Sequence, residues 1–595
     1  MPTRCAPCVA LLLLLACSPA GGGDTGGATG TSGGAAAGTD SSGAATAVPG
    51  DSSSSAGTGP APTTGGATSG PASTGDGSGD SGAAPDLPGE SGWHSVLYPE
   101  DWTPAFTGPE GRFLHDFSYA GYRNGAGEPG QDVPAKTIDV VADHGAVPGG
   151  DVDATAAFQA ALDAAAQAGG AVVRVPAGLY RLDGQLTVAA SRVVLRGDGA
   201  GQSQLWFTKF ADMAYKSHLN FAGALEFSDE TLLTADGAPR SATVQVADAA
   251  AYQPGDDVAL GWVITPEFVA EHGMDGTWMV FNATWQVFFW RTVVAVDGDT
   301  LTLDVPLRYP AKLRDQASVK RVAGYLREVG VEELGVANAV GWDDAWTQSQ
   351  VHLLSLRGVK DGWVRGVASF ASPGAPAGGL AEGRHLQSGG VEVVQSKRVT
   401  VADTTLGFAE HRGDGGNGYL FEVSQSSEVL TRDCVGEAGR HNFIQNWGFG
   451  ATGSVWLRVH SLGGVAVAVK DLDFGLPALS EFHHSLATAN LIDQSVLDDG
   501  WGAVNRGSES SGAGHSSTQS AVWSPSGVGV VRSRQFGHGY VIGPGPKLAL
   551  ETSLDVPAGA GTEPEDFVEH PPRGATGPLV PASLYEDQLA RRLGR

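Results

Sequence analysis

The chain has 595 residues, and its 65 acidic and 37 basic side chains give a formal net charge of −28, which argues against nucleic acid as a partner. A protein this acidic does not attract anionic polysaccharides unless a local basic patch or a bound cation intervenes. Of the four cysteines, only Cys434 lies beyond the first 17 residues, which excludes an intramolecular disulfide or a cysteine-based zinc site in the rest of the chain.

Residues 1–16 have the features of a bacterial signal peptide, because Arg4 precedes an apolar run at 9–15 that is too short to span a bilayer. Residues 14–17 (LLAC) resemble the lipobox of bacterial lipoproteins, which implies that Cys17 carries the lipid. The alternative is an ordinary secretory signal that is cleaved near Ala20. Residues 17–90 are rich in Gly, Ala, Ser and Thr and predict a flexible tether.

This N-terminus predicts the location of the protein. We expect it to be lipid-anchored in the bacterial cell envelope, at the outer membrane, with its domain facing the periplasm or the cell surface. If Cys17 is not lipidated, the protein is secreted.

Residues 91–136 form an aromatic-rich segment that is too apolar for a linker. Within it, residues 113–122 (FLHDFSYAGY) predict an extended stretch that packs along the outside of the domain that follows. Tyr119 and Tyr122 could stack on a sugar, but this density of aromatic side chains favours core packing.

Residues 137–205 predict a helix that caps a stack of short strands. One face of the helix is apolar, formed by Phe158, Ala161, Leu162 and Ala165. Asp153 or Thr155 can supply the N-cap oxygen, and Gly169 and Gly170 end the helix. Short strands are predicted on either side of it, at 137–141, 171–175, 179–182, 185–188 and 192–196. Strands this short at such close spacing are typical of a solenoid.

The same segment resembles the N-terminal cap and first coils of the pectate-lyase-like right-handed parallel β-helix superfamily. That family opens roughly with D-[FY]-G-A-x-G-D-G-x-x-D-[DN]-T-x-A-x-Q-x-A-[IL]-D-A and continues with G-G-x-V-x-[VI]-P-x-G-x-Y. The matching positions are Asp143, Gly145, Ala146, Gly150, Asp151, Asp153, Thr155, Ala157, Gln159, Ala160, Leu162, Asp163, Gly169, Gly170, Val172, Val175, Pro176, Gly178 and Tyr180. His144 replaces the family's aromatic residue, and residues 149–151 (GGD) replace its Asp-Gly turn.

The resemblance implies an all-β fold, a right-handed parallel β-helix with an N-terminal capping helix, over residues 137–550. Strands at 241–246, 257–260, 292–296 and 300–304 predict an antiparallel β insertion over about 210–320. The insertion carries a dense aromatic group: Trp262, Trp278, Phe281, Trp285, Phe288, Phe289 and Trp290. Exposed rings would form a platform for carbohydrate and buried rings a small core, and we expect some of these rings in each role.

From residue 319 to 531, short alternating strands recur at intervals of about 30 residues, as expected for coils with loops of variable length. Residues 551–595 form a C-terminal tail that is rich in Pro, Gly and Glu. We expect this tail to be loose, apart from a short helix near 583–592.

The polar residues that could carry chemistry concentrate between 410 and 515, in groups about one coil apart, so a solenoid could stack them into one cleft. The candidate catalytic residues are Arg440, His441, Asp471, Asp473, His483, Asp498, Asp499, Arg506 and His515. The candidate substrate-binding residues are His411, Arg412, Trp447, Trp501 and Asn505. Glu481 and His484 flank His483 in the same region.

Two chemistries fit these residues. The aspartates suit a glycosidase, which needs two carboxylates that flank the scissile bond. His441 or His483 with Arg440 or Arg506 suits a lyase, which needs a base near the sugar C5 and a cation beside the developing negative charge. An aspartate beside a glycine is also typical of a turn, and a single histidine is often structural.

A second, weaker resemblance concerns Asp498 and Asp499 followed by residues 537–543 (GHGYVIG). Polygalacturonase-type hydrolases of the same fold carry an Asp-Asp-Cys and a later Gly-His-Gly-x-x-Ile-Gly. This chain lacks the cysteine after the pair, the Asn-Thr-Asp before it and the Arg-Ile-Lys that follows.

The leading prediction is a surface-tethered enzyme that degrades a polysaccharide, as a lyase or a glycosidase, with its cleft around residues 410–515. The alternatives are a non-catalytic β-helix that binds polysaccharide as an adhesin, and an epimerase of polymeric uronic acids. We predict a polysaccharide partner, membrane contact through the lipid anchor only, no nucleic acid and a monomer. The sequence requires no particular cofactor and leaves a role for Ca²⁺ open.

Overall fold

The computed structural model describes residues 92–470, 475–552, 565–575 and 577–595, and these ranges form an all-β parallel β-helix. Each coil contributes short strands to three parallel sheets, so Thr400–Ala402 of one coil pairs with Leu430–Arg432 of the next. Coils of this kind bury one face of every strand in a shared interior, which explains why the strands are short, alternating and bounded by turns. The predicted fold class is confirmed.

The strands of the three sheets follow the order of the chain. The first sheet contains Thr137–Asp139, Ala171–Val175, Val193–Gly197, Gly330–Glu332, Trp363–Arg365, Thr400–Ala402, Leu430–Arg432, Val455–Leu457, Leu491–Asp493, Ala521–Trp523, Tyr540–Ile542 and Phe567–Glu569. The second contains Gly178–Leu182, Ser203–Phe207, Gly335–Ala337, Ala368–Ser369, Thr405–Gly407, Val435–Glu437, His460–Leu462 and Val496–Leu497. The third contains Leu186–Val188, Ser217–Ala222, His352–Arg357, Gly389–Val394, Tyr419–Ser424, His441–Gln445, Ser480–Phe482, Gly500–Ala503, Val530–Ser533 and Ala549–Glu551.

The capping helix, Thr155–Gln167, covers the first coils with the apolar face that the sequence predicts. The predicted N-cap oxygen is wrong, because Ala154 occupies the N-cap position. Asp153, just before it, accepts hydrogen bonds at one carboxylate oxygen from the Thr155 backbone N–H at 2.9 Å and from the Thr155 hydroxyl at 2.6 Å. Gly170 follows the helix with φ near +120°, where a Cβ would collide with Arg192.

The antiparallel insertion begins after Ser217–Ala222, a strand of the third sheet. Its six strands are, in spatial order, Glu226–Leu232, Ser318–Ala323, Asp257–Val263, Trp285–Asp297, Thr300–Leu303 and Thr243–Gln245. Its aromatic side chains form a small core, because Trp262 stacks on Phe288 at 3.6 Å between ring centroids and both are buried. Trp285 is half-buried beneath Lys320. The expectation that some of these rings form an exposed carbohydrate platform is therefore wrong.

The aromatic N-terminal segment and the C-terminal helix, Leu584–Leu593, share one core on the outer face of the first sheet. Tyr98 packs edge-on against Trp523 of that sheet at 5.9 Å. Tyr122 is buried against Trp363, and Arg592 covers the ring of Tyr119, so the two tyrosines serve packing rather than sugar stacking.

The remaining elements are short. The helical turns are Pro109–Gly111, Tyr122–Gly125, Pro266–Glu271, Met279–Phe281, Leu313–Asp315, Trp342–Ala345 and Glu509–Gly512. The small strand pairs are Leu326–Arg327 with Val359–Lys360, Val465–Ala466 with Leu476–Pro477, and Ala487–Thr488 with Ser517–Thr518. Within the described ranges, none of the helices has the length and apolar character needed to cross a lipid bilayer.

Candidate functional site

The outward-facing side chains of the third sheet form a row that runs from coil to coil. In register, Glu392 lies beside Glu422, Glu422 beside Ile444, and Ile444 beside Glu481. Phe421 and Phe482, next to two of these glutamates in sequence, point into the interior core, so strand alternation turns the glutamates outward. The row thus places carboxylates on the outer surface of the β-helix.

Glu481 is the centre of a cluster with His441, His483 and Arg506, which we call the Glu481 cluster. His483 Nδ1 is in short contact with Glu481 Oε1, and Arg506 Nη1 donates to the same oxygen at 2.6 Å while lying 2.8 Å from His483 Nδ1. His441 Nε2 lies 3.5 Å from that oxygen. The side chain of Glu481 is 13% exposed, so the cluster is recessed.

These contacts set the charges of the cluster. Burial alone would raise the pKa of Glu481, but the neighbouring His441, His483 and Arg506 outweigh it and hold that pKa well below its ordinary value. Burial lowers the pKa of His483, and the hydrogen bond to Glu481 opposes this only in part. The cluster therefore combines an ionised carboxylate with neutral imidazoles at neutral pH.

His441 is held in one tautomer. Its Nδ1 donates to the carbonyl oxygen of Leu479 at 2.5 Å, which leaves Nε2 without a proton in the neutral ring. That Nε2 is buried and has no hydrogen-bond partner within the described ranges. Burial lowers the pKa of His441 to about 4, so the ring stays neutral.

Arg440 and Tyr419 complete the surroundings. The Arg440 guanidinium donates to the Gly413 carbonyl at 2.7 Å and adds positive charge beside both histidines. The Tyr419 ring lies 5.3 Å from the His441 ring and 6.2 Å from the His483 ring. Burial raises the pKa of Tyr419 above its ordinary value, so the phenol keeps its proton. The predicted histidine and arginine set is thus brought together.

His411 and Arg412, two predicted substrate-binding residues, lie beside the loop around Trp342–Ala345. His411 stacks on Trp346 at 4.1 Å between ring centroids. Arg412 is buried, and burial, with Arg384 nearby, lowers its pKa to about 10. Arg440 lies near His411, and its guanidinium is 3.6 Å from the exposed carboxylate of Asp414.

Of the two predicted substrate-binding tryptophans, the structure exposes one. Trp447 is 40% exposed and meets the His484 ring edge-on at 4.6 Å, next to the Glu481 cluster. Trp501 is packed inside the β-helix against Trp456 and Phe482, so its assignment to substrate binding is wrong.

Asn505 has a turn role, since its side-chain oxygen accepts from the Gly507 backbone N–H at 2.9 Å. His515 is fully buried, and its Nε2 donates to the carbonyl oxygen of His272 at 3.0 Å. The prediction that His515 is catalytic is therefore wrong, because protein groups fully enclose its side chain.

Of the predicted aspartates, the structure describes Asp498 and Asp499, and both accept hydrogen bonds from neighbouring protein groups. Asp499 accepts hydrogen bonds from Asn442 at 2.6 Å and Ser461 at 2.8 Å, and Asp498 accepts from His460 at 2.9 Å. Both carboxylates hold the turn between the second and third sheets. The other predicted members, Asp471 and Asp473, and the predicted lipidation site Cys17, lie outside the described residues.

The resemblance to polygalacturonase-type hydrolases does not extend to a shared site. His538 lies at the turn before Tyr540–Ile542, a strand of the first sheet, whereas Asp498 and Asp499 precede Gly500–Ala503 of the third. The two halves of the motif thus belong to different sheets.

Sequence reasoning missed a second group, formed by His352, Glu392 and Glu422, which we call the His352 cluster. One possible ligand atom from each residue lies within 4.8 Å of the others. A signal was present in the sequence: Glu392, Glu422 and Glu481 each stand alone in a strand of the third sheet, as V-E-V, F-E-V and S-E-F.

Comparison with known proteins supports the resemblance read from the capping segment. Residues 138–225 match a family model described as Rhamnogalacturonase A/epimerase, pectate lyase-like. No curated protein matches the chain. The tailspike protein gp49 from Pseudomonas phage LKA1 is 15% identical with a TM-score of 0.43, and the match covers 70% of this chain and 63% of that one. The hyperthermoactive exopolygalacturonase from Thermotoga maritima is 10% identical with a TM-score of 0.27, over 76% of this chain and 79% of that one.

Proposed function

We propose that this protein is a polysaccharide lyase that cleaves a uronate-containing polysaccharide by β-elimination at the Glu481 cluster. The observation that carries the proposal is the contact of His483 and Arg506 with one oxygen of Glu481. A carboxylate on Nδ1 orients the imidazole and leaves Nε2 as the nitrogen that takes a proton. The pectate lyase-like family model that matches residues 138–225 supports a polysaccharide substrate.

Residues in and beside the Glu481 cluster have distinct roles in this reaction. His483 Nε2 takes the proton from C5 of the uronate, and the electron pair forms the C4–C5 double bond as the C4–O bond breaks. Arg506 and Arg440 stabilise the negative charge that develops on the substrate carboxylate. The Tyr419 phenol, protonated because of its burial, gives its proton to the departing oxygen and regains one from solvent.

The surface around the cluster suits an anionic substrate. The acidic composition requires local positive charge for such a partner, and Arg440 and Arg506 supply it beside the histidines of the cluster. Trp447 offers an exposed ring on which a sugar can stack beside His484.

Tethering to the cell envelope is part of the same proposal and rests on the sequence. A lipid on Cys17, followed by the Gly-, Ala-, Ser- and Thr-rich sequence to residue 90, would let the catalytic domain reach polysaccharide near the membrane. A Cys17→Ser variant that stays in the membrane fraction would contradict this.

The experiment is a panel of uronate-containing polysaccharides, read both for new reducing ends and for the ultraviolet absorbance of an unsaturated uronate. We expect both signals from the wild type, and a loss of at least about 100-fold in kcat for His483→Gln. The matched control is His538→Gln, since this half-buried histidine lies at the turn before the first-sheet strand Tyr540–Ile542, and it is expected to keep wild-type activity.

Each other outcome points to a different function. Reducing ends without absorbance mean hydrolysis and overturn the lyase. Retention of the polysaccharide without cleavage supports a binding protein, and inversion at C5 without cleavage supports an epimerase. Wild-type turnover by His483→Gln refutes the assignment of the base.

A further inference from the structure

Two residues of the His352 cluster, Glu392 and Glu422, lie on the same outer row as Glu481 but on different strands. The three residues of the cluster come from the neighbouring strands His352–Arg357, Gly389–Val394 and Tyr419–Ser424. Gly389 lies opposite His352 and makes room for the ring, because a Cβ there would lie 2.4 Å from Nδ1. The backbone thus places an imidazole against two carboxylates.

The distances within the cluster fit coordination better than hydrogen bonding. His352 Nε2 lies 3.8 Å from Glu422 Oε2, which is too long for a hydrogen bond. Two ligands that each lie about 2.0–2.2 Å from one ion are separated by about 3–4 Å. His352 is only 4% exposed, and within the described residues its Nδ1 has no hydrogen-bond partner.

Neutral donors hold the carboxylates in place. Glu422 Oε1 accepts from Ser424 and from Asn446, both at 3.0 Å, and Glu392 Oε2 accepts from Ser355 at 2.7 Å. The remaining oxygen of Glu422 is left toward His352. In known metal sites, hydrogen bonds from neighbouring groups orient the metal-ligating side chains in the same way.

A cation between the two glutamates would also relieve the repulsion between them. Glu392 and Glu422 lie directly opposite each other on neighbouring strands, where like charges are destabilising. Arg357 approaches Glu392 only to 3.8 Å and is half-exposed. In the Glu481 cluster, by contrast, Arg506 already contacts Glu481 and lies 2.8 Å from His483 Nδ1, so a cation is in place there.

We propose that His352, Glu392 and Glu422 bind one divalent transition-metal ion, with Zn²⁺ or Mn²⁺ as the expected occupant. One imidazole nitrogen with carboxylate oxygens suits these ions, whereas Ca²⁺ prefers oxygen ligands alone. Three protein ligands leave positions for water or for another ligand. The proposal goes beyond the lyase, because binding of the ion does not depend on whether the chain cleaves a polysaccharide.

The test is calorimetric titration of the chelator-treated full chain with ZnCl2, MnCl2 and CaCl2. We expect one equivalent of Zn²⁺ or Mn²⁺ to bind, and Glu392→Gln and His352→Asn each to weaken this binding by at least about 100-fold. The matched control is Glu481→Gln in the other cluster, where Arg506 stands in for an ion, and its affinity should stay within about 3-fold of wild type.

A second test locates the ion in the wild type, so it does not depend on whether a variant folds. Anomalous diffraction from crystals of the wild type soaked in ZnCl2 should show a peak between His352, Glu392 and Glu422. The proposal is overturned if the ion lies elsewhere, if no equivalent binds, or if the folded variants, checked by their melting temperatures, bind as the wild type does.

Discussion

At the residue scale, the charge state of His483 links the cluster geometry to a measurable pH profile. A general base works only when it is neutral, and burial lowers the pKa of His483 below its ordinary value. We therefore expect the acid limb of kcat/KM to lie below about pH 6.5.

Its two neighbours shift this limb in opposite directions. Glu481 raises the pKa of His483 and Arg506 lowers it. Glu481→Gln should therefore move the limb to lower pH and reduce the plateau, while Arg506→Gln should move it to higher pH. The measurement is kcat/KM against pH for the three proteins, and a limb that stays in place in both variants would show that another group titrates.

Part of this site was readable from the sequence. Arg440, His441, His483 and Arg506 were found because polar groups one coil apart stack in a solenoid. Trp501 was misassigned because its neighbours are both glycines, so no alternation shows which way its ring points. Glu392 and Glu422 were missed because each is a single charge between apolar residues, and only the strand register shows that they meet.

At the element scale, a buried ion network fastens the insertion to the β-helix. Asp257, on an insertion strand, contacts Lys360 at 2.5 Å, Lys397 at 2.8 Å and Arg327 at 2.6 Å. Lys397 also donates to the Arg291 carbonyl of the insertion at 2.5 Å. Burial lowers the pKa of Lys397 to about 8, even though Asp257 opposes this, so the lysine depends on its carboxylate partner.

Removing that carboxylate should destabilise the protein. Asp257→Asn leaves two buried lysines without a counter-charge, and breaking a buried pair in this way costs about 3–5 kcal/mol. The measurement is urea denaturation followed by tryptophan fluorescence. The matched control is Asp297→Asn at the exposed end of another insertion strand, with an expected change within about 0.5 kcal/mol. Equal stability of the two variants would rule out the anchoring role.

The sequence predicted the presence of these elements better than their partners. Alternating strands around a turn indicated the antiparallel insertion, but they gave no information on whether its aromatic rings are buried. The docking of the C-terminal helix beside the N-terminal segment was also hidden, since Tyr585 donates to the Ala120 carbonyl across 465 positions of the chain. Local sequence patterns give no information on contacts between segments that lie so far apart in the chain.

At the scale of the whole molecule, the fold could be predicted because every coil of a solenoid repeats the same local arrangement of strands and turns. Each coil needs only short apolar strands and turns, and pairs with the next coil. The capping motif fixed the beginning of the stack and matches the family model over residues 138–225. The site was harder to predict, because a cleft on a solenoid forms only where side chains of successive coils line up. Loops of variable length hide that alignment in the sequence.

Three buried carboxyl groups, distributed along the β-helix, should make the protein less stable in alkaline solution. Burial raises the pKa of Glu410 to about 8, and of Asp493 and Asp566 to about 7. A carboxyl whose folded pKa is raised contributes stability that is full below its unfolded pKa, near 4, and lost as the pH rises through the folded pKa.

We therefore expect the melting temperature to fall between about pH 5 and about pH 9, with a loss of a few kcal/mol in the free energy of unfolding. Asp493 is a good position for the test, because its Oδ2 accepts from the Ser583 hydroxyl at 2.7 Å and the Tyr585 backbone N–H at 2.8 Å. Asp493→Asn keeps an acceptor for both donors but cannot ionise, so its melting temperature should fall less over this range. The control Asp297→Asn should show the same dependence of melting temperature on pH as the wild type. If Asp493→Asn also shows that dependence, Asp493 ionises at no cost in the folded state.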